Sequence, residues 1–155
     1  MTRAYLSLGT NRGDRGRHLA QGVHMMTEGE VSRVSRVYRS EPVGGVAQDD
    51  FWNLIVEVDT RATPHELLAR AHAAEAAAQR TREVRWGPRT LDVDIVWMDG
   101  VVCDDDELTL PHPRMFQRNF VLVPLRELRE DLVDDDVLGG ADGAVSVLGT
   151  LETLL

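Results

Sequence analysis

Residues 63–98, TPHELLARAHAAEAAAQRTREVRWGPRTLDVDIVWM, decide the fold. Thr63 offers an N-cap hydroxyl, Pro64 suits the first helical position and Glu66 completes a capping box, which predicts an alanine-rich helix reaching about Gln79. Residues 80–90 are polar and crowded with arginine, so they read as a connection. From Leu91 to Met98 the pattern alternates, with Leu91, Val93 and Ile95 on one side and Asp92 and Asp94 on the other. That period of two is a half-buried strand.

Working outward, Asp99-Gly100 predicts a hairpin turn from that strand into Val101-Val102. Upstream, Ala4-Tyr5-Leu6-Ser7-Leu8 is a strand that stops at Gly9-Thr10-Asn11, and Gly9, Gly13 and Gly16 are read as turn residues. A helix capped near Asp14 follows, with Leu19, Val23 and Met26 as its apolar stripe to about Glu28. Residues 31–38 form an extended segment, residues 40–50 a loop holding Pro42, Gly44 and Gly45, and Phe51 to Val58 a further strand. Phe120 to Leu128 is a late apolar helix, and the last twenty residues give weak signals. The resulting class is α+β, a single domain over residues 1–155: a ferredoxin-like β-α-β-β-α-β antiparallel sheet, helices on one face, and a C-terminal helical and hairpin addition.

The chain has 155 residues, 43% hydrophobic, enough for a core without disulfides or a structural metal. Its lone Cys103, a start without a leader pattern and the absence of a long apolar run predict a cytoplasmic protein. A net charge of -9 argues against a general nucleic-acid or membrane binder. Every basic residue is arginine, which excludes a Walker A loop, a Schiff base and a lysine nucleophile. Phosphate must be handled by arginine forks.

Asp92 and Asp94 carry the sharpest chemical signal. Two carboxylates about 7 Å apart on one strand face resist burial and need a cation or a wet surface, and their hard oxygens suit Mg²⁺. The same pattern fits a solvated sheet face. Arg80, Arg82, Arg85 and Arg89 crowd just ahead of them and form the one dense basic patch, as triphosphate recognition or as a loop paired with Glu83. Trp86-Gly87-Pro88 places a bulky ring on a hinge-like turn, either lid or packing. In Leu108-Thr109-Leu110-Pro111-His112-Pro113-Arg114 a histidine is held between prolines, whereas His18, His24, His65 and His72 sit in helical patterns without a metal motif.

Arg80-Thr81-Arg82, with Arg85-Trp86-Gly87-Pro88-Arg89-Thr90-Leu91-Asp92-Val93-Asp94-Ile95, resembles the signature of 6-hydroxymethyl-7,8-dihydropterin pyrophosphokinases. Pro111-His112-Pro113-Arg114-Met115, Arg118-Asn119-Phe120-Val121-Leu122, Leu8-Gly9-Thr10-Asn11 and Tyr38-Arg39-Ser40 fit the same family, to about Leu132. The resemblance implies a folate-pathway enzyme that moves the β,γ-diphosphate of ATP to the hydroxymethyl group of a reduced pterin and releases AMP. It implies Asp92 and Asp94 as ligands of two Mg²⁺ ions, acting with Arg80 and Arg89 in catalysis. Arg82, Arg89, His112 and Arg118 would meet nucleotide phosphates, and Glu75 and Thr109 the adenosine. Phe51 and Phe120 match the rings that sandwich the pterin, Asn53 its hydrogen-bonding partner, and the backbone from Ser40 to Val43 its amide edge, with Trp86 as a further substrate contact. Glu107 stands where some members carry a nucleotide-contacting arginine, and Gln79 where a glycine is common.

The implied partners are ATP and the hydroxymethyl dihydropterin, neither nucleic acid nor membrane, with association with the next folate-pathway enzyme left open. Two rivals use the same fold: another two-metal enzyme such as a nucleotidyl cyclase or polymerase palm, which releases pyrophosphate instead of AMP, and a non-enzymatic ferredoxin-like binding module. The second needs a basic, aromatic sheet face, which the net charge and 5% aromatic content oppose.

Overall fold

Three antiparallel neighbours make the centre of the sheet: β1 (Thr2–Thr10) lies between β4 (Phe51–Thr60) and β5 (Asp92–Met98). β3 (Val37–Ser40) continues the sheet beyond β4, and the short β2 (Ser32–Val34) also pairs with β4. A last strand, β8 (Val145–Gly149), closes the order β5-β1-β4-β3-β8. The computed structural model describes residues 1–42, 49–80 and 90–155, with Arg80 described in its backbone only.

Helices α1 (Arg15–Thr27) and α2 (Pro64–Arg80) form where the sequence signals place them. The Asp14 side chain accepts from the Arg17 N–H at 3.1 Å, and in the capping box of α2 the Glu66 N–H donates to Thr63 Oγ1 while Glu66 Oε1 accepts from the Thr63 N–H. Both helices cover one sheet face, where Leu19, Met26, Leu67 and Ala71 bury Leu6, Leu8, Leu54, Val56, Val93 and Ile95. Removing one such leucine side chain costs about 2–5 kcal/mol.

The C-terminal addition covers the opposite face. Val121, Leu122 and Leu125 of α3 (Asn119–Leu128) pack on Tyr5, Ile55 and Val96. α4 (Asp135–Gly140), β8 and α5 (Leu151–Leu154) complete the chain. α3 is tied by charge to β2, β3 and the link between them: Arg36 and Tyr38 both donate to Glu127, and Arg33 forks onto Glu57 while donating to the Leu128 carbonyl. Among the described residues no helix is long and apolar enough to cross a membrane.

Three local expectations are corrected. Gly9 and Gly16 are not turn residues; β1 continues through Gly9 to Thr10, and Gly16 lies in α1. Residues 31–38 are two strands instead of one segment, because the Ser35 N–H and hydroxyl bond both polar groups of Ile55 and interrupt the ladder. Asp99-Gly100 turns, but Val101-Val102 does not pair with β5. The small hairpin is β6 (Cys103–Asp104) with β7 (Thr109–Leu110), because Asp105 Oδ1 accepts from the Glu107 and Leu108 N–H groups and folds the acidic run into a tight turn. His65 Nε2 lies 2.8 Å from Asp105 Oδ2 and links that turn to the start of α2.

Candidate active site

The sheet face shared with α3 becomes polar beyond Tyr5, Ile55 and Val96. In β5, Val93 and Ile95 point into the core under α1 and α2, and Asp92 and Asp94 take the other face, as the alternation predicts. The register sets Gly9 opposite both Asp92 and Asn53, and Ser7 opposite Asp94. The glycine is needed here: a Cβ at Gly9 would sit 2.9 Å from Asn53 Oδ1. Asn53, only 3% exposed, donates from Nδ2 to Ser40 Oγ at 2.9 Å and to the Tyr38 carbonyl at 3.4 Å. Its amide is therefore held across β4 and β3, with Gly9 of β1 beside it.

A cavity of about 860 Å³ stands on this face and touches every strand of the ordered path. At the β5 side it is lined by Asp92, Asp94 and Glu75, and at the β3 side by Ser40, Phe51 and Asn53. Arg114, Gln117, Arg118 and Phe120 form the wall contributed by the start of α3 and the loop before it. Glu75 reaches over from α2, and its Oε2 accepts from the Val93 N–H at 3.2 Å, between the two aspartates. The Arg118 guanidinium lies over the Phe120 ring, 5.6 Å from its centre.

His112 does not line the cavity, but its Nε2 is 3.9 Å from Asp94 Oδ1. Its Nδ1 accepts from the Arg114 N–H at 3.2 Å. Burial lowers the pKa of His112; Asp94 opposes that, and Arg118 and Arg114 reinforce it. A neutral ring with Nε2–H toward Asp94 satisfies both contacts. Thr109, paired with Asp104 in the small hairpin, is likewise not among the lining residues. Val43, Arg82, Trp86, Arg89 and the Arg80 side chain lie outside the described residues.

The sequence reading missed Arg114 as a site residue, although it closes the same proline-flanked segment as His112. It also missed residues 142–145, which line the cavity and carry no local motif. Their position depends on pairing with distant parts of the chain.

The family model for 7,8-dihydro-6-hydroxymethylpterin-pyrophosphokinase (HPPK) matches residues 5–130. The chain belongs to this family. It is 46% identical over 136 residues to the 2-amino-4-hydroxy-6-hydroxymethyldihydropteridine pyrophosphokinase of Methylorubrum extorquens, covering 86% of each chain. Against the Bacillus subtilis enzyme of the same name the identity is 44% over 128 residues, 81% of this chain and 77% of the relative. Among solved structures, the Plasmodium falciparum HPPK-DHPS wild type with SDX-DHP superposes with a TM-score of 0.62 at 15% identity. It covers 99% of this chain, which spans 43% of that longer one and shares its HPPK fold. In this pterin pyrophosphokinase, Asp92, Asp94, Arg118, Phe51 and Phe120 line one cavity on the open sheet face.

Proposed function

We propose that this HPPK binds ATP and 6-hydroxymethyl-7,8-dihydropterin side by side in the 860 Å³ cavity and transfers the β,γ-diphosphate to the pterin's hydroxymethyl oxygen. The observation that carries this reading is the continuity of one cavity from Asp92 and Asp94, past Gly9, to Asn53 and Ser40. Phosphoryl chemistry and ring recognition occupy opposite ends of the same space. In the reaction the alcohol oxygen forms a bond to the β-phosphorus, the bond from that phosphorus to the α,β-bridging oxygen breaks, AMP leaves and the hydroxyl proton is lost.

Asp92 is exposed, and the Asp94 side chain is 48% exposed on the cavity wall, so both offer hard oxygen donors to a solvated cation. They would hold two Mg²⁺ ions, which supply positive charge against the triphosphate. Arg118, with Arg80, Arg82 and Arg89, serves the phosphates, and His112 and Glu75 serve the nucleotide alongside Thr109. Glu75 also fixes the start of β5 by its bond to the Val93 N–H. Phe51 and Phe120 stack on the pterin with Trp86 as a further contact. Asn53 and the backbone from Ser40 to Val43 read its polar edge. A primary alcohol attacking phosphorus needs positioning and charge neutralisation more than a strong base, and this residue set supplies both.

The cytoplasm and the use of ATP fit this reading. So does association with the next enzyme of folate synthesis, given relatives in which HPPK is part of a longer HPPK-DHPS chain. The test is product analysis with ATP, Mg²⁺ and the hydroxymethyl pterin. AMP that appears only when the pterin is present supports the proposal; pyrophosphate as the released product contradicts it.

A further inference from the structure

The cavity has a wall that the family match does not reach. That match ends at residue 130, yet residues 142–145 line the cavity. The strand order fixes which end they close: β5, with the paired aspartates, is one edge of the sheet, and β8 is the other. Val145 is paired with Ser40, which in turn is paired with Phe51.

The segment is fastened at both ends. Toward α3, the Asp142 N–H donates to the Gln117 carbonyl at 3.0 Å, and the Asn119 N–H donates to the Asp142 carbonyl at 3.1 Å. The Asn119 side chain adds a clamp, with Nδ2 donating to the Gly143 carbonyl at 2.8 Å and the Ala141 carbonyl at 3.3 Å. Among the described residues its Oδ1 is buried without a partner, so the amide's bonds here are its two donations. Toward the sheet, the pairing of β8 with β3 takes over at Val145. Between the two anchors the chain passes through Gly143, whose φ of 97° favours glycine. The segment thus bridges the walls carrying Phe120 and Ser40, the two sides of the pterin end.

We infer that residues 142–145 are the end wall of the pterin subsite and set the largest ring it accepts, with Ala144 as the size-determining residue and Asn119 as the positioning residue. This rests on the proposed function. The wall acts on the heterocycle and leaves the nucleotide end alone, because Asp92, Asp94 and Glu75 lie across the sheet from it.

Steady-state kinetics with the full chain tests this. Ala144 is exposed, so Ala144→Leu adds bulk without disturbing a core. The expected result is a KM for the hydroxymethyl dihydropterin raised about tenfold, with kcat and the KM for ATP within about twofold of the wild type. Ala144→Gly should raise relative kcat/KM for a pterin carrying an added methyl at the ring edge remote from its hydroxymethyl group. Asn119→Ala should raise the pterin KM with kcat retained, and should speed hydrogen exchange in residues 141–145. A folded Ala144→Leu variant with an unchanged pterin KM overturns the inference; if that variant does not fold, the pterin KM of Asn119→Ala decides by the same criterion. A wild type that releases no AMP overturns the proposed function and this inference together, whereas an active wild type with unaffected variants overturns the inference alone.

Discussion

His112 Nε2 stands 3.9 Å from Asp94 Oδ1, so the proline-flanked loop delivers an imidazole to the strand that carries the paired carboxylates. The Arg114 N–H on Nδ1 fixes which ring nitrogen faces that strand. Residues of two separate elements are thereby brought together beside the aspartate end of the cavity.

Asp92→Asn and Asp94→Asn should each lower turnover by at least about a thousandfold, roughly 4 kcal/mol of barrier. Neither side chain supports the core, and neutralising one carboxylate relieves repulsion from the other, so the thermal midpoint should hold or rise slightly. Full activity in either variant at saturating Mg²⁺ would sink the assignment of these residues to the metals.

Phe120→Ala should weaken pterin binding about tenfold while ATP affinity stays within about twofold. Phe120 also packs against the α3 cluster, so some thermal stability is lost, at roughly 2–4 °C per kcal/mol for a chain of this size. Titration of the folded variant with pterin separates the two effects: intact affinity per folded molecule would make Phe120 a packing residue only.

Gly9→Ala probes the centre of the cavity. Its Cβ would press on Asn53 Oδ1 at 2.9 Å, and the amide would have to leave its bonds to Ser40 and the Tyr38 carbonyl. Pterin affinity should fall about tenfold, or about 1.4 kcal/mol, and Asn53→Ala should show the same loss without adding to it in the double variant. Additive losses would mean that Gly9 acts through something other than Asn53.

How much of this was legible beforehand depended on range. The capping box at Thr63 and the alternation at Asp92 and Asp94 are local; the first predicted its helix, and the second predicted its strand and the face the aspartates take. Gly9 looked like punctuation because its reason for being glycine, the Asn53 amide, lies on another strand. β8 is short, ends at Gly149 and gains its meaning only from pairing with β3. The same holds for residues 142–145, whose clamp is the side chain of Asn119. Nor does the acidic run after Cys103 announce its turn, in which Asp105 spends its carboxylate on N–H groups and His65.

Acid should weaken the fold through Glu57 and Glu127. Burial works to raise both pKa values, but Arg33 and Tyr5 at Glu57, and Tyr38 and Arg36 at Glu127, outweigh it and hold both below the ordinary glutamate value. Groups depressed in this way stabilise the fold above the unfolded pKa of about 4.3 and lose that contribution as pH falls through their folded values. Urea unfolding midpoints should therefore drop below about pH 4, and the drop should be shallower in Glu57→Gln.

Alkali reports on the two tyrosines. Burial, aided by the carboxylate of Glu127, pushes Tyr38 up to about 12, and burial likewise raises Tyr5 above its ordinary value. Both hydroxyls donate to glutamate, so their protonated forms stabilise the fold below about pH 10, and this is lost as pH rises through the folded values. Ultraviolet titration of the folded protein should show less than half of the phenolate formed at pH 10; half-titration there would contradict the buried hydrogen-bonded geometry.

The transfer itself is tested most directly by following two labels through one turnover. With ATP carrying ³²P in the γ-phosphate, the label should move into the pterin product. With ATP labelled at the α-phosphate it should remain wholly in AMP, one AMP forming per pterin diphosphorylated. Label from the α-phosphate in the pterin, or γ-label released as pyrophosphate without a modified pterin, would contradict the account.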